Sequence, residues 1–135
     1  MPTRDLSDRN CCFRSLFADC TALVSAPKLL ATKLSQYCYN RMFYRCTSLA
    51  IAPELVASKL VNMCYYYMFA GATALERVKV HFNEWNSSSN ATLGWFQSNK
   101  KAGIFECPEG LDTETNRDIS HVPAAWTVKT FDPEI

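Results

Sequence analysis

The side chains with the widest choice of chemistry in this sequence are its seven cysteines. They are Cys11, Cys12, Cys20, Cys38, Cys46, Cys64 and Cys107. Thiols form disulfides, bind metals or act as nucleophiles beside an activating base. The C-x7-C spacing of Cys38 and Cys46 is unlike a zinc motif, and His81 and His121 lie far from it. Buried space-filling thiols, disulfides and a metal site remain open, and the first is the commonest role of a free cysteine.

Catalytic motifs are missing from the sequence. Neither histidine lies in a pattern that would join it to a nucleophile and a carboxylate. The four glycines are scattered, so no phosphate-binding loop is indicated. We therefore predict a protein that is not an enzyme, without catalytic residues, a metal site or a cofactor.

A predicted strand near residue 78 supplies the first candidate binding surface. Val78 and Val80 alternate with Arg77, Lys79 and His81, so the two valines face inwards and the other three side chains face outwards. A row of two cations and an imidazole could bind a ligand. The alternative is a solvated basic edge without a ligand.

The second candidate surface is the run Tyr65, Tyr66 and Tyr67. Tyrosine offers a flat, amphipathic contact area that suits sugars and proteins. The alternative is packing between repeat units, because Phe13, Tyr39 and Tyr65 are spaced at equal intervals along the chain.

These residues belong to a repeat with a period of 26 residues. The shift brings Cys12 onto Cys38 and Cys64, and Phe17 onto Phe43 and Phe69. Such a period is typical of a solenoid whose units cannot bury a hydrophobic face alone. The sequence predicts a ragged end at 1–10 and a solenoid at 11–82 with units 12–37, 38–63 and 64–82. The remainder, 83–135, is predicted to be a C-terminal capping segment.

Each unit is expected to contain one helix and one short strand. Leu34, Cys38 and Met42 recur at i, i+4 and i+8, which indicates one face of a helix of about three turns. Pro27 and Pro53 limit the first two strands to a few residues. The predicted fold class is an α/β repeat: a leucine-rich-repeat-like solenoid with one short parallel sheet, helices on the opposite side and a C-terminal cap.

Two consequences follow for the tail and the thiols. Strands are predicted at 103–108 and 124–131, and three tryptophans at 85, 95 and 126 are expected to seal the last core. Neighbouring helices lie about 8–10 Å apart, too far for a disulfide. We therefore expect the repeat cysteines to be reduced and buried, and Cys11 and Cys107 to react first with a thiol reagent.

The repeat unit resembles a known family. The stretches CYNRMFYRCTSLAIAPELVASKL and CYYYMFAGATALERV are similar to BspA-type leucine-rich repeats of bacterial surface proteins. The tail pattern W…ATLGWF…GIFECP…VPAAWTV resembles the usual C-terminal segment of those proteins. The resemblance implies a leucine-rich-repeat solenoid at a cell surface that serves in adhesion or ligand binding.

The expected function is therefore a non-enzymatic binding or adhesion module of a bacterial surface protein. Its ligand would be a protein or glycan on a host or bacterial surface. A net charge of +1 does not favour nucleic acid, and no apolar run reaches the roughly 20 residues of a membrane span. Residues 1–10 lack an apolar signal core, so we expect a secreted or surface-displayed fragment of a longer chain. The alternative is a structural spacer or phage-particle component that docks through its solenoid ends.

Overall fold

The computed structural model describes residues 13–86, 89–99 and 102–132, in which the chain winds as a stack of coils. The strands are β1 (Arg77–Lys79), β2 (Ile104–Pro108) and β3 (Thr127–Phe131). They form one parallel sheet in the order β1-β2-β3, with Arg77 opposite Ile104 and Ile104 opposite Thr127. Single bridges from Ser25 to Ile51 and from Ile51 to Arg77 extend the same wall to earlier coils. The predicted ragged end at 1–10 lies outside the described residues.

The sheet wall agrees with the alternation in the sequence. Val78, Val80 and Phe82 are fully buried, and the predicted strands at 103–108 and 124–131 are observed as β2 and β3. The earlier coils pair through single residues rather than strands. Proline has no N–H to donate, so Pro27 and Pro53 keep this pairing short, which confirms the predicted short strands.

The opposite wall contains no α-helix anywhere in the described part of the chain. It is built from overlapping four-residue turns in residues 13–19, 37–45, 63–71 and 90–98, which we call the turn wall. Alternate amides bond inside the coil, as when Asn40 N–H donates to the carbonyl of Tyr37 at 3.2 Å. The amides between them bond to the next coil, as when Tyr39 N–H donates to the carbonyl of Cys64 at 3.0 Å. Between described residues, every such bond within the turn wall points from an earlier coil to a later one.

The predicted leucine-rich-repeat-like α/β solenoid, with helices on the opposite side of the sheet, is therefore wrong. The turn wall has a positive φ at every fourth residue, such as Tyr37, Arg41 and Arg45, and again Tyr67 and Gly71. A period of four residues differs from the helical 3.6 by only about 40° at i+4. The buried series at i, i+4 and i+8 is thus consistent with both structures, and the hydrogen bonds show turns.

The predicted 26-residue register is confirmed by stacked rings in the core. Phe43 is fully buried between Phe17 and Phe69, with ring centroids 5.6 and 5.9 Å apart. Tyr39 is stacked between Phe13 and Tyr65 at 5.7 and 6.0 Å. Residues 26 apart therefore occupy equivalent positions in neighbouring coils.

Coil winding continues after Phe82. Met63 N–H donates to the carbonyl of Ser89, so residues 89–97 form the next rung of the turn wall. Trp95 continues the ring stack, with its centroid 6.0 Å from that of Tyr65. The segment that follows this rung packs against it through side-chain hydrogen bonds. In one of them, Trp95 Nε1 donates to the carbonyl of His121 at 2.8 Å. A capping role for residues 83–135 stays a prediction.

Candidate binding surface

The structure places Arg77, Lys79 and His81 side by side on the outer face of the sheet wall. Two of them are already paired: Arg77 Nε lies 2.8 Å from Glu106 Oε1, and Lys79 Nζ lies 3.2 Å from Glu54 Oε1. Burial alone raises the pKa of the Glu54 carboxyl. Hydrogen bonds and charge from Lys79 and His81 more than offset that and lower it. The expected basic edge is thus close to neutral.

These sheet-face side chains connect different coils. Lys79 Nζ lies 5.0 Å above the ring of Phe131, and the His81 ring centroid lies 5.3 Å from that ring. His81 Nε2 is buried and lies 3.4 Å from Oε1 of Glu54. These contacts join the coils that contain Glu54, Lys79 and Phe131. They give the sheet-face side chains a structural role that requires no ligand.

The three tyrosines are divided between the core and the surface. Tyr65 is 1% exposed and lies between the rings of Tyr39 and Trp95, each at 6.0 Å. Its burial raises the pKa of the phenol well above its ordinary value. Tyr65 therefore belongs to the core and cannot contact a ligand, as the packing alternative expected. Tyr66 and Tyr67 are half-buried at the surface, with ring centroids 4.3 Å apart.

Two arginines that the sequence analysis missed complete this surface. The guanidinium carbon of Arg41 lies 5.4 Å from the rings of both Tyr66 and Tyr67 and 5.9 Å from that of Tyr44. The guanidinium carbon of Arg45 lies 5.0 Å from the ring of Tyr44. We call Arg41, Tyr44, Arg45, Tyr66 and Tyr67 the arginine–tyrosine cluster. The four-residue spacing of Arg41 and Arg45 is the sequence signal that could have revealed it.

Backbone geometry sets the positions of the cluster side chains. Arg41, Arg45 and Tyr67 all have positive φ, at 52, 59 and 51°. Gly94, in the next coil, has φ 64°, and a Cβ there would lie 1.7 Å from Cε1 of Tyr67. The missing side chain at Gly94 therefore leaves the space that the Tyr67 ring fills.

A recess of about 300 Å³ lies beside the cluster. Its lining residues are Tyr44, Arg45, Tyr67, Ala70, Gly71, Gln97 and Ser98. Partial burial, followed by the neighbouring Tyr66, raises the pKa of Tyr67, so its phenol stays neutral and can donate a hydrogen bond at physiological pH. Phenol, guanidinium, amide and hydroxyl groups thus meet at one concave place.

Positive charge is concentrated on the turn wall rather than on the sheet wall. The described turn wall contains three arginines, Arg14, Arg41 and Arg45, and one acid, Asp19, which leaves a charge of +2. Asp19 lies 4.0 Å from Arg45, and both side chains are largely exposed. None of the described carboxylates pairs with Arg41.

The described cysteines all carry free thiols. Cys38, Cys46, Cys64 and Cys107 are buried, whereas Cys20 is exposed. Cys46 Sγ donates to the carbonyl of Phe17 at 3.0 Å. Cys107 is buried and burial raises its pKa to about 11, which disfavours the expected early reaction of this thiol. Cys11 lies outside the described residues.

The distance between neighbouring coils also differs from the helix spacing that was expected. Coils joined by backbone hydrogen bonds lie about 4.8 Å apart. The helix spacing that argued against disulfides therefore does not apply. Among the described residues, no three His, Cys, Asp or Glu side chains are grouped as a metal site would require.

No family model, curated protein or solved structure matches this chain. In the described part of the chain, no helix has the length and apolar character needed to cross a membrane.

Proposed function

We propose that the protein is a non-enzymatic binding module whose ligand contacts the arginine–tyrosine cluster. The observation that carries this proposal is Arg41, a half-buried cation within 6 Å of three tyrosine rings and without a carboxylate partner among the described residues. Arginine and tyrosine are among the side chains most enriched at energetically important contacts. Its ring contacts leave the guanidinium N–H groups without a carboxylate among the described residues, unlike the paired cations of the sheet face.

The backbone beneath the cluster supports binding by limiting its movement. Arg41 N–H donates to the carbonyl of Tyr66 at 2.9 Å, and Tyr67 N–H donates to that of Leu93 at 3.0 Å. The backbone of the cluster is therefore fixed to the coil beside it. A ligand would meet side chains that are already arranged, so little conformational entropy is lost on binding.

The ligand would be a glycan or a protein on a host or bacterial surface, and the module would act as part of a surface-displayed or secreted protein. The support for this placement is the resemblance of the repeat unit to bacterial surface proteins. Adhesion requires only a stable contact surface, and the cluster and its recess supply one.

Immobilised glycan and surface-protein arrays would test the proposal. Wild type is compared with Arg41→Gln and Tyr66→Ala, and with Lys129→Gln as a matched charge change on exposed β3. We expect both cluster variants to lose at least about tenfold in affinity for the ligand found, because Arg41→Gln removes a charged hydrogen bond and Tyr66→Ala removes an aromatic contact. Lys129→Gln should bind as wild type does. Equal binding by all four proteins would contradict the proposal.

A further inference from the structure

The Arg41 guanidinium lies among three aromatic rings. The ring centroids of Tyr44, Tyr66 and Tyr67 lie within 6 Å of its carbon. Guanidinium has five N–H donors in its plane and no acceptor. No side-chain hydrogen bond joins Arg41 to any described residue. Its N–H groups are therefore available to an acceptor from outside the chain.

A flat group with in-plane donors selects a particular acceptor. Carboxylates and sulfate or phosphate esters accept two parallel bonds from one guanidinium, whereas a neutral hydroxyl accepts one. Arg45 adds a second cation that lines the recess, and the single acid on the described turn wall, Asp19, forms an exposed 4.0 Å pair with it. The charge around the recess thus favours an anion.

The size and lining of the recess indicate a ligand larger than a single inorganic anion. A volume of about 300 Å³ is at the lower end of small-molecule sites, which suits one or two sugar rings. Tyr44 and Tyr67 offer apolar ring surface, while Gln97 and Ser98 offer hydrogen-bonding groups on the other side. A protein partner would need about 800 Å² of its surface buried, more than this recess provides.

We propose that the arginine–tyrosine cluster recognises an acidic saccharide. The carboxylate or sulfate ester of the sugar accepts hydrogen bonds from Arg41 and Arg45, and a sugar ring enters the recess between Tyr67 and Gln97. This inference rests on the proposed function, because it names the ligand class of the same surface.

The test uses pairs of saccharides in which one member carries an anionic group and the other does not. Binding of the full chain to oligogalacturonate is compared with binding to its neutral methyl ester, and binding to a carrageenan-derived tetrasaccharide, whose only anionic groups are sulfate esters, is compared with that to its neutral desulfated form. We expect at least one acidic member to bind about tenfold or more tightly than its neutral partner. The pair that responds identifies carboxylate or sulfate as the group recognised. Arg41→Gln should abolish the difference, and Lys129→Gln should keep it.

The outcomes separate this inference from the proposed function. Equal binding of the acidic and neutral saccharides, with loss in Arg41→Gln, would overturn acidic selectivity and leave the binding module intact. Inorganic polyphosphate bound as tightly as the saccharides would show a general anion site and overturn the saccharide. A surface protein bound through Arg41, with no saccharide bound, would also overturn it. Binding of every probe unchanged in Arg41→Gln would refute both proposals.

Discussion

Replacing Gly94 with alanine tests the link between coil geometry and the arginine–tyrosine cluster. An alanine Cβ would lie 1.7 Å from Cε1 and 2.2 Å from Cδ1 of Tyr67, so the ring has to leave its place. Gly94 also has φ 64°, a conformation that costs other residues roughly 1–2 kcal/mol. The substitution therefore combines backbone strain with displacement of one cluster side chain.

The expected destabilisation can be worked out from the neighbours of the Tyr67 ring. Its displacement removes the tilted ring contact with Tyr66, worth about 0.5–1.5 kcal/mol. It also removes the cation–π interaction with Arg41, worth about 0.5–1 kcal/mol. Added to the backbone strain, the expected decrease in the free energy of unfolding is about 2–4.5 kcal/mol.

Gly71 supplies the matched control. It also has a positive φ, 76°, but the closest atom to its added Cβ would be the flexible Cγ of Arg45 at 3.1 Å. Gly71→Ala should therefore show the backbone strain alone, roughly 1–2 kcal/mol. In a Tyr67→Ala background the ring is absent, so the destabilisation caused by Gly94→Ala should fall to the same value as that of Gly71→Ala.

Urea unfolding of wild type, the three single variants and the Tyr67→Ala/Gly94→Ala double variant measures all of these values. If Gly94→Ala lowers the free energy of unfolding equally with and without the Tyr67 ring, the argument that its Cβ clashes with the ring is refuted. Binding of the acidic saccharide by Gly94→Ala should weaken as well, because Tyr67 no longer borders the recess.

Three further predictions concern the core, the turn wall and the thiols. Phe43→Ala should lower the free energy of unfolding by about 3–5 kcal/mol in urea, because the ring is fully buried between two others; a loss below about 1 kcal/mol would contradict the ring stack. Far-UV circular dichroism should lack the double minimum of an α-helix, and its presence would contradict the turn wall. Mass spectrometry after alkylation should find Cys20 labelled first among the five described cysteines. Labelling of Cys107 should rise with pH towards its pKa of about 11, since only the thiolate reacts; labelling of Cys107 before Cys20 would show that the burial is wrong.

Stacking of the coils could be predicted from the sequence, because any winding with a 26-residue period brings Phe17, Phe43 and Phe69 together. The sheet residues could also be predicted, since the buried Val78 and Val80 alternate with polar side chains that are exposed or half-buried. Both inferences depend on spacing alone. Neither requires knowledge of how the chain between the strands is folded.

The helix prediction failed because it used too few members of the buried series. Leu34, Cys38 and Met42 fit a helix, but Cys46 is buried as well and continues the series at i+12. In an α-helix that position has rotated by about 120° from the first. A buried series that persists with an interval of four therefore indicates repeated four-residue turns.

The binding surface could be predicted only in part. Tyr66 and Tyr67 lie at the surface as the aromatic run indicated, but Tyr65 continues the ring stack of Phe13 and Tyr39. The role of Arg41 depends on a positive φ that directs its side chain towards the next coil. No propensity rule assigns that conformation to arginine, so only the structure reveals the contact.

The one-way hydrogen bonds of the turn wall give the molecule a permanent dipole. Peptide groups in a helix align along its axis, and here every other peptide group aligns along the stack, perpendicular to the path of each coil. The carbonyl pole lies at residues 13–19 and the N–H pole at 90–98, where Gly94 and Phe96 amides donate to Ser120 Oγ and the carbonyl of Ile119. The sheet wall contributes little, because its bonds run both ways, as from Ala52 to Arg77 and from Glu76 to Ala50. Each added coil would lengthen the aligned array, so the dipole moment grows with the number of repeats while the field stays local to the two poles. The cation of Arg14 lies at the carbonyl pole, which stabilises it.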